Sequence, residues 1–327
     1  MFLICFGTRP EYIKVKSLID NLNNVKTCFT GQHINLLDGI KVDIKLNSLE
    51  LTSNRLNNII ISSLYNSKIF DDIKYVIVQG DTTSALSIAL SAFNNKIKVI
   101  HLEAGLRTYD INDPYPEELN RQLISRIANI HLCPTELNKQ NLFNEGIKEN
   151  IYVTGNTGLD NIDKKDIMYG NKIIVTLHRR DNHHNIDEWF KTLEKLASKY
   201  SELEFILPIH PNPNVQKHRH ILNKVKVIEP VSHSSMVNLL KECKFIISDS
   251  GGIQEEASFL NKKIIICRNF TERPEVLKSG HGILCDLPSK LEEIFHKIKE
   301  DYIIDKPCPF GDGFAYKNIG YILKGLD

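Results

Sequence analysis

The stretch Phe245-Ile246-Ile247-Ser248-Asp249-Ser250-Gly251-Gly252-Ile253-Gln254-Glu255-Glu256-Ala257 decides the fold class. A short β-branched run ends, two glycines follow, and a helical pattern starts at once. This is the strand–turn–helix junction of a parallel α/β sheet. Glycines there permit close backbone approach, and the first amides and positive dipole end of the helix point beyond the strand, which makes an anion cradle. Glu256, one turn in, is placed to accept from ribose hydroxyls. The plainer reading is a glycine turn followed by an acidic first helical turn.

Outward from this junction the pattern repeats. Val- and Ile-rich runs predict strands at 2–6, 26–29, 75–78, 99–102, 130–133 and 151–154, with helices near 10–22, 55–66, 83–94, 117–129 and 135–145. The second half predicts strands at 172–176, 204–207, 226–228, 245–248 and 263–267, with helices near 186–199, 234–242, 251–260 and 288–299. The expectation is an α/β chain of two Rossmann-like parallel-sheet domains, 1–165 and 166–308, joined through a polar linker at 161–171. Joined once, they face each other across a cleft, and ligands of such sheets bind beyond the carboxyl ends of the strands.

Bulk properties exclude several classes. With 327 residues the chain suits two domains, and Lys+Arg 41 against Asp+Glu 40 leaves no basic face for nucleic acid. The seven cysteines show no CxxC spacing and mostly sit in apolar runs, the usage of buried free thiols in a reducing, cytoplasmic compartment. No apolar run is long enough to span a membrane, and no signal-peptide pattern opens the chain. There is no GxxxxGK[ST] and no GxGxxG, and the pairs His183/His184 and His218/His220 lack metal-site spacing, so neither metal nor cofactor is expected.

Polar clusters follow the strands. Gly7-Thr8-Arg9-Pro10-Glu11 opens a helix carrying Lys14, and the turn amides with Arg9 and Lys14 suit a diphosphate. Gly80-Asp81-Thr82-Thr83 follows the third strand, where Asp81 also suits a helix N-cap. Glu103, within His101-Leu102-Glu103-Ala104-Gly105-Leu106-Arg107-Thr108, ends a buried strand, where a carboxylate needs a partner. Tyr115-Pro116-Glu117-Glu118-Leu119-Asn120-Arg121 starts a helix whose Glu117 and Arg121 also suit a surface ion pair. Asp81, Glu103 and Glu117 thus come from loops at one sheet edge, where separated pKa values divide acid and base roles. In the second half, His178-Arg179-Arg180 suits contact with a departing diphosphate, and Pro208-Ile209-His210-Pro211 forms a rigid post-strand loop.

In this order the blocks resemble the non-hydrolysing UDP-N-acetylglucosamine 2-epimerases. The match runs through GTRPE, GQH at Gly31–His33, GDTT, HLEAGLRT, YPEELNRQ, PTE, TGNT, HRR, SDSGGIQEEA and TERPE. The resemblance implies a GT-B fold with a C-terminal helix, 309–327, crossing back to the first domain after Gly311-Asp312-Gly313. It implies reversible C2 epimerisation of UDP-N-acetylglucosamine to UDP-N-acetylmannosamine, through anti elimination of UDP to 2-acetamidoglucal and re-addition. Carried over by motif, Asp81, Glu103 and Glu117 are the acid/base set, Arg121 orients it and His178 assists the leaving diphosphate. Arg9, Lys14 and His210 bind phosphate or sugar, and Ser250, Gly251, Gly252 and Glu256 hold UDP. The partner is a UDP-sugar, and the assembly a homodimer.

The alternatives are a 2-epimerase of another UDP-2-acetamido sugar, a 6-deoxy hexose or a uronic acid, and a GT-B glycosyltransferase. The chain departs from the family pattern at Asp181, where HRREN reads HRRDN, and the region 39–54 is abbreviated. Relatives use that region for a second, activating substrate molecule. Gln32, His33 and His210 remain here as a remnant of that site, whereas an Arg-Gln pair expected beyond them is missing. The expectation is therefore hyperbolic or weakly sigmoidal kinetics.

Overall fold

The structure is a computed structural model describing residues 1–33 and 39–326. It separates into two compact units, Met1–Asn161 with Gly311–Asp327, and Ile162–Phe310.

In the first unit the strands are β1 (Phe2–Phe6), β2 (Val25–Phe29), β3 (Ile44–Lys45), β4 (Tyr75–Gln79), β5 (Lys98–Leu102), β6 (Ile130–Cys133) and β7 (Ile151–Val153). The helices between them are α1 (Arg9–Asn21), α2 (Arg55–Tyr65), α3 (Thr83–Asn94), α4 (Glu117–Ile127) and α5 (Glu136–Asn144). All pairings are parallel, in the order β3-β2-β1-β4-β5-β6-β7. Successive side chains of β1 go to opposite faces. Phe2, Ile4 and Phe6 pack with Val15, Leu18 and Phe29, while Leu3 and Cys5 pack with Val76, Val78 and Ile88. Both faces are covered, which is why β1 and β4 read as unbroken apolar runs.

The second unit repeats the scheme with β8 (Lys172–Thr176), β9 (Glu204–Pro208), β10 (Lys226–Ile228), β11 (Cys243–Ser248), β12 (Ile264–Ile266) and β13 (Gly282–Leu284). Its helices are α6 (Ile186–Lys199), α7 (Pro213–Gln216), α8 (His233–Glu242), α9 (Gly251–Phe259), α10 (Pro274–Lys278) and α11 (Leu291–Glu300). The sheet is parallel in the order β10-β9-β8-β11-β12-β13, around a core with Trp189, Phe190, Phe205, Phe245 and Phe295. Six cysteines are buried free thiols and Cys308 is partly exposed. Among the described residues no helix is long and apolar enough to cross a membrane.

The last helix, α12 (Ala315–Lys324), belongs to the first unit. Ile319 and Leu323 enter the core beside Val15 and Leu18. Asp160 anchors the helix start, accepting from the backbone N–H of Ala315 (2.8 Å) and Tyr316 (2.9 Å), and from the Ser17 hydroxyl. At Gly311, with φ +113°, a Cβ would stand only 3.2 Å from Gly155 Cα, in a backbone conformation that favours glycine.

Strand order reverses between β1 and β4 in one sheet and between β8 and β11 in the other. Ligand sites of open α/β sheets form at such switch points. The polar clusters of the sequence lie at both.

Candidate active site

At the first switch point the Gly7-Thr8 turn differs from expectation. Its backbone N–H groups do not form an open cradle, because the buried Glu11 carboxylate accepts from Gly7 N (2.9 Å) and Thr8 N (2.7 Å). Thr8 caps α1 in a reciprocal capping box with Glu11. Burial, the dominant influence, raises the Glu11 pKa above the ordinary carboxylate value, and these hydrogen bonds partly offset it. The helix start is thus neutralised from within, leaving Arg9, whose side chain is exposed, and Lys14 as the cations of this loop.

Lys14 reaches back over the sheet edge and pairs with Glu103, Nζ to Oε2 at 2.5 Å. Gln79 donates to the same oxygen. Glu103 adopts φ +65°, a left-handed conformation that a residue with a long side chain occupies at a cost of about 1–3 kcal/mol. That strained backbone ends β5 and turns the carboxylate toward the neighbouring β4 turn, where a Cβ on Gly80 would stand 4.0 Å from Glu103 Oε2.

Asp81 is not a helix cap. Thr82 caps α3, its hydroxyl accepting from Ala85 N, and the Asp81 carboxylate binds Arg121 (Nε to Oδ2 at 2.9 Å, with Nη2 on the same oxygen). Arg121 does not lie on the helix surface. It is buried, and its Nη1 donates to Glu118 at 3.2 Å. Glu118, fully buried, also accepts from Thr108 N (3.0 Å), Tyr109 N (3.1 Å) and Gln122 Nε2 (2.8 Å). Sequence reasoning missed it, quoting it only as part of the Tyr115–Arg121 stretch. Its burial inside a charged loop was the available signal, but a sequence does not display burial. Glu117 is the first residue of α4 and is partly exposed.

Gln32 and His33 serve the frame of this unit. Gln32 Oε1 accepts from Ser84 N (3.0 Å) and Ser84 Oγ (2.9 Å), and its backbone carbonyl accepts from Arg55. His33 Nδ1 accepts from Arg9 N, and burial, followed by the Arg55 charge, lowers the ring's pKa.

At the second switch point Asp249 organises the loop after β8. Fully buried, its Oδ2 accepts from His178 N (2.9 Å), Arg179 N (2.9 Å) and Asn182 Nδ2 (3.0 Å), while Oδ1 lies 3.5 Å from His178 Nδ1. His178 stacks on His210 with ring centroids 5.0 Å apart and planes 13° apart. Burial first, then the neighbouring His178, lowers the His210 pKa. Asp249, quoted in the sequence only as part of a motif, fixes the very loop that presents the imidazole.

The glycine pair that follows divides in role. A Cβ on Gly251 would stand 2.5 Å from Arg273 Nη1, so packing demands glycine. Arg273 in turn binds Glu255 and Glu272, both at 2.5 Å, so the Thr271–Arg273 segment buttresses α9. At Gly252 a Cβ would meet no atom of the described residues within 4 Å, so internal packing makes no such demand. Ser250 is the N-cap of α9 and makes no side-chain cap bond, which leaves its hydroxyl at the helix mouth. Glu256 bonds His233 Nε2 (2.8 Å) through Oε1, while its buried Oε2 meets no hydrogen-bond partner among the described residues.

Arg9, Lys14, Asp81, Glu103, Glu117 and Arg121 thus belong to the first unit and His178, His210, Ser250, Gly251, Gly252 and Glu256 to the second. The structure joins Lys14 with Glu103, Asp81 with Arg121 and His178 with His210.

Comparison with known proteins bears on this arrangement. The family model described as UDP-N-acetylglucosamine 2-epimerase matches residues 19–324. Proteins of that name from Campylobacter jejuni and Salmonella borreze are 37% and 36% identical, with 99% and 97% of this chain and 97% and 96% of theirs aligned. A crystal structure of UDP-GlcNAc 2-epimerase from Neisseria meningitidis bound to UDP-GlcNAc superposes with TM-score 0.89 at 34% identity, covering 99% of both chains. The Methanocaldococcus jannaschii enzyme, solved with UDP-GlcNAc and UDP, gives 0.80 at 30% identity, covering 99% of this chain and all of its own.

Proposed function

The chain belongs to the UDP-N-acetylglucosamine 2-epimerase family, and on that premise we propose that it interconverts UDP-N-acetylglucosamine and UDP-N-acetylmannosamine by elimination and re-addition of UDP. A base removes the C2 proton while the C1–O bond breaks, giving 2-acetamidoglucal and UDP. The diphosphate oxygen then re-forms the bond to C1, and an acid returns a proton to C2 on the opposite face. The scheme draws on no redox cofactor, because no net electron transfer occurs.

Asp81, Glu103 and Glu117 are the acid/base set of this reading. A sugar C2–H is a weak acid, and one base contributes a factor of only about 10²–10⁴. The rest of the acceleration falls to charge stabilisation of the departing UDP and to orientation. Arg121 orients Asp81, and Lys14 stands at the Glu103 carboxylate. His178, braced by Asp249 and stacked on His210, faces the leaving group. Arg9 adds positive charge. Ser250, Gly251 and Gly252 offer the α9 start to the diphosphate, and Glu256 Oε2 is the acceptor for a ribose hydroxyl. Gln32 and His33 each engage one side-chain atom, Oε1 and Nδ1, in internal hydrogen bonding, and the expected kinetics are hyperbolic or weakly sigmoidal.

What supports the reading most is that Asp81 and the α9 anion site follow strands at the two sheet switch points, with Asp81 and Glu103 each paired with a specific cation. Incubation with UDP-N-acetylglucosamine, followed by NMR, tests it. UDP-N-acetylmannosamine accumulating to an equilibrium mixture is the expected product. Free N-acetylmannosamine and UDP as the main stable products would overturn the proposal.

A further inference from the structure

The turn that carries Asp81 is held one residue at a time. Gly80, at φ +67°, ties its own N–H to Leu102 O (2.9 Å), and its carbonyl accepts from His101 Nε2 at 2.8 Å. The Asp81 carbonyl accepts from Asn120 Nδ2 at 2.9 Å. The Thr82 hydroxyl donates to Glu11 Oε1 at 2.7 Å. His101, Asn120 and Glu11 are all buried, and they come from β5, α4 and α1 respectively. Three consecutive residues are therefore pinned from three different elements before the carboxylate itself meets Arg121.

The His101 contact has a definite chemistry. A carbonyl only accepts, so the ring nitrogen facing Gly80 carries the hydrogen, and the neutral ring is the Nε2–H tautomer. Burial lowers the His101 pKa to about 3, so this donor is present throughout the neutral range. Its other nitrogen, Nδ1, is buried and meets no hydrogen-bond partner among the described residues. A side chain required only to fill space at this point of β5 would need neither nitrogen. The arrangement is thus built around one N–H aimed at one backbone carbonyl.

Asn120 supplies the complementary constraint. It sits beside Arg121 on α4, the helix that begins with Glu117. One helix thereby grips Asp81 by its main chain and its side chain while presenting a second acid of the proposed set. A movement of α4 carries both acids together and preserves their spacing. Acid/base chemistry on carbon demands such control, since a misplacement of about 1 Å can cost on the order of 10²-fold in rate.

We propose that His101 and Asn120 are positioning residues that act through the Gly80 and Asp81 carbonyls to hold the Asp81 carboxylate in its reactive place. The inference rests on the reading of Asp81 as an acid/base group and adds to it two residues that touch no substrate. Steady-state kinetics of His101→Leu and His101→Gln test it. H101L removes the donor and should lower kcat about 10–100-fold, with KM and UDP affinity within about threefold of the parent. H101Q restores an N–H at nearly the same reach and should recover about tenfold of that loss. A kcat for H101L within twofold of the parent, an H101Q enzyme as impaired as H101L, or a loss confined to KM would overturn the proposal. If H101L does not fold, Asn120→Leu carries the same test, with the same expected kcat loss at unchanged KM. Asp81→Asn run alongside separates the two levels. Proton exchange at C2 that survives D81N refutes the reading of Asp81 itself. Exchange lost in D81N while both H101L and N120L keep the parent kcat refutes only the positioning.

Discussion

Replacing Asp249 tests how the second unit presents His178. In Asp249→Ala three N–H donors lose their acceptor at once, two from the backbone of His178 and Arg179 and one from Asn182. An unmet buried donor costs about 1–3 kcal/mol. The two backbone donors lie in a partly exposed loop that water can reach, so each counts at the lower end of that range. Asn182 keeps its bond to the Cys267 carbonyl, so only part of its donor capacity is stranded. The sum is about 3 kcal/mol. For a domain of this size that lowers Tm by about 6–12 °C. Asp249→Asn retains one carbonyl oxygen in place of Oδ2 and gives up only the charge, a loss of about 1 kcal/mol, or about 2–4 °C. Differential scanning calorimetry of both variants checks the ratio, and kcat should fall with the loop's order. A Tm for D249A within about 2 °C of the parent would refute the claim that this carboxylate organises the loop.

Other expectations follow from the same contacts. Gly252→Ala should leave Tm unchanged, since no described atom lies near its Cβ, yet weaken UDP binding measured by calorimetric titration. Gly251→Ala should lower Tm by pressing on Arg273. Arg121→Met should reduce kcat by at least about 10²-fold with little change in UDP affinity, because it releases both Asp81 and Glu118. Burial lowers His131 to about 4, below the ordinary value of 6.5. The unfolded chain therefore takes up this proton first as pH falls. The associated stability is complete above about pH 6.5 and is lost below it at about 1.4 kcal/mol per pH unit. His131→Phe should shrink the difference in unfolding free energy between pH 7.5 and pH 5 by about 2 kcal/mol, read from denaturant titrations, and an unchanged difference would contradict it.

The two sheets were legible because their strands are buried on both faces and read as compact Val/Ile runs ended by glycine or a polar turn. Ile44–Lys45 and Gly282–Leu284 escaped because they are too short to carry a pattern, and their pairing with β2 and β12 makes them strands. The candidate residues stand out in the sequence by type and by position after strands. Their partners do not. Asp81 next to Thr82 reads equally well as a cap, and only the spatial approach of Arg121, forty positions on, decides it. The Gly7 and Thr8 amides looked like an anion cradle, but the Glu11 carboxylate already fills it. Glu118 and Asp249 share that history. Each is a buried carboxylate whose value lies in hydrogen bonds to distant backbone, and local sequence does not encode those.

If acids at the first switch point exchange the C2 proton of a UDP-sugar, C2 must take up hydrogen from the solvent. Incubating the enzyme with UDP-N-acetylglucosamine in D₂O and following C2 by NMR tests it most directly. Deuterium should appear at C2 in both epimers, with no incorporation by the Asp81→Asn enzyme although it still binds UDP. Epimerisation with C2 protium retained, or incorporation by D81N at the parent rate, would contradict it.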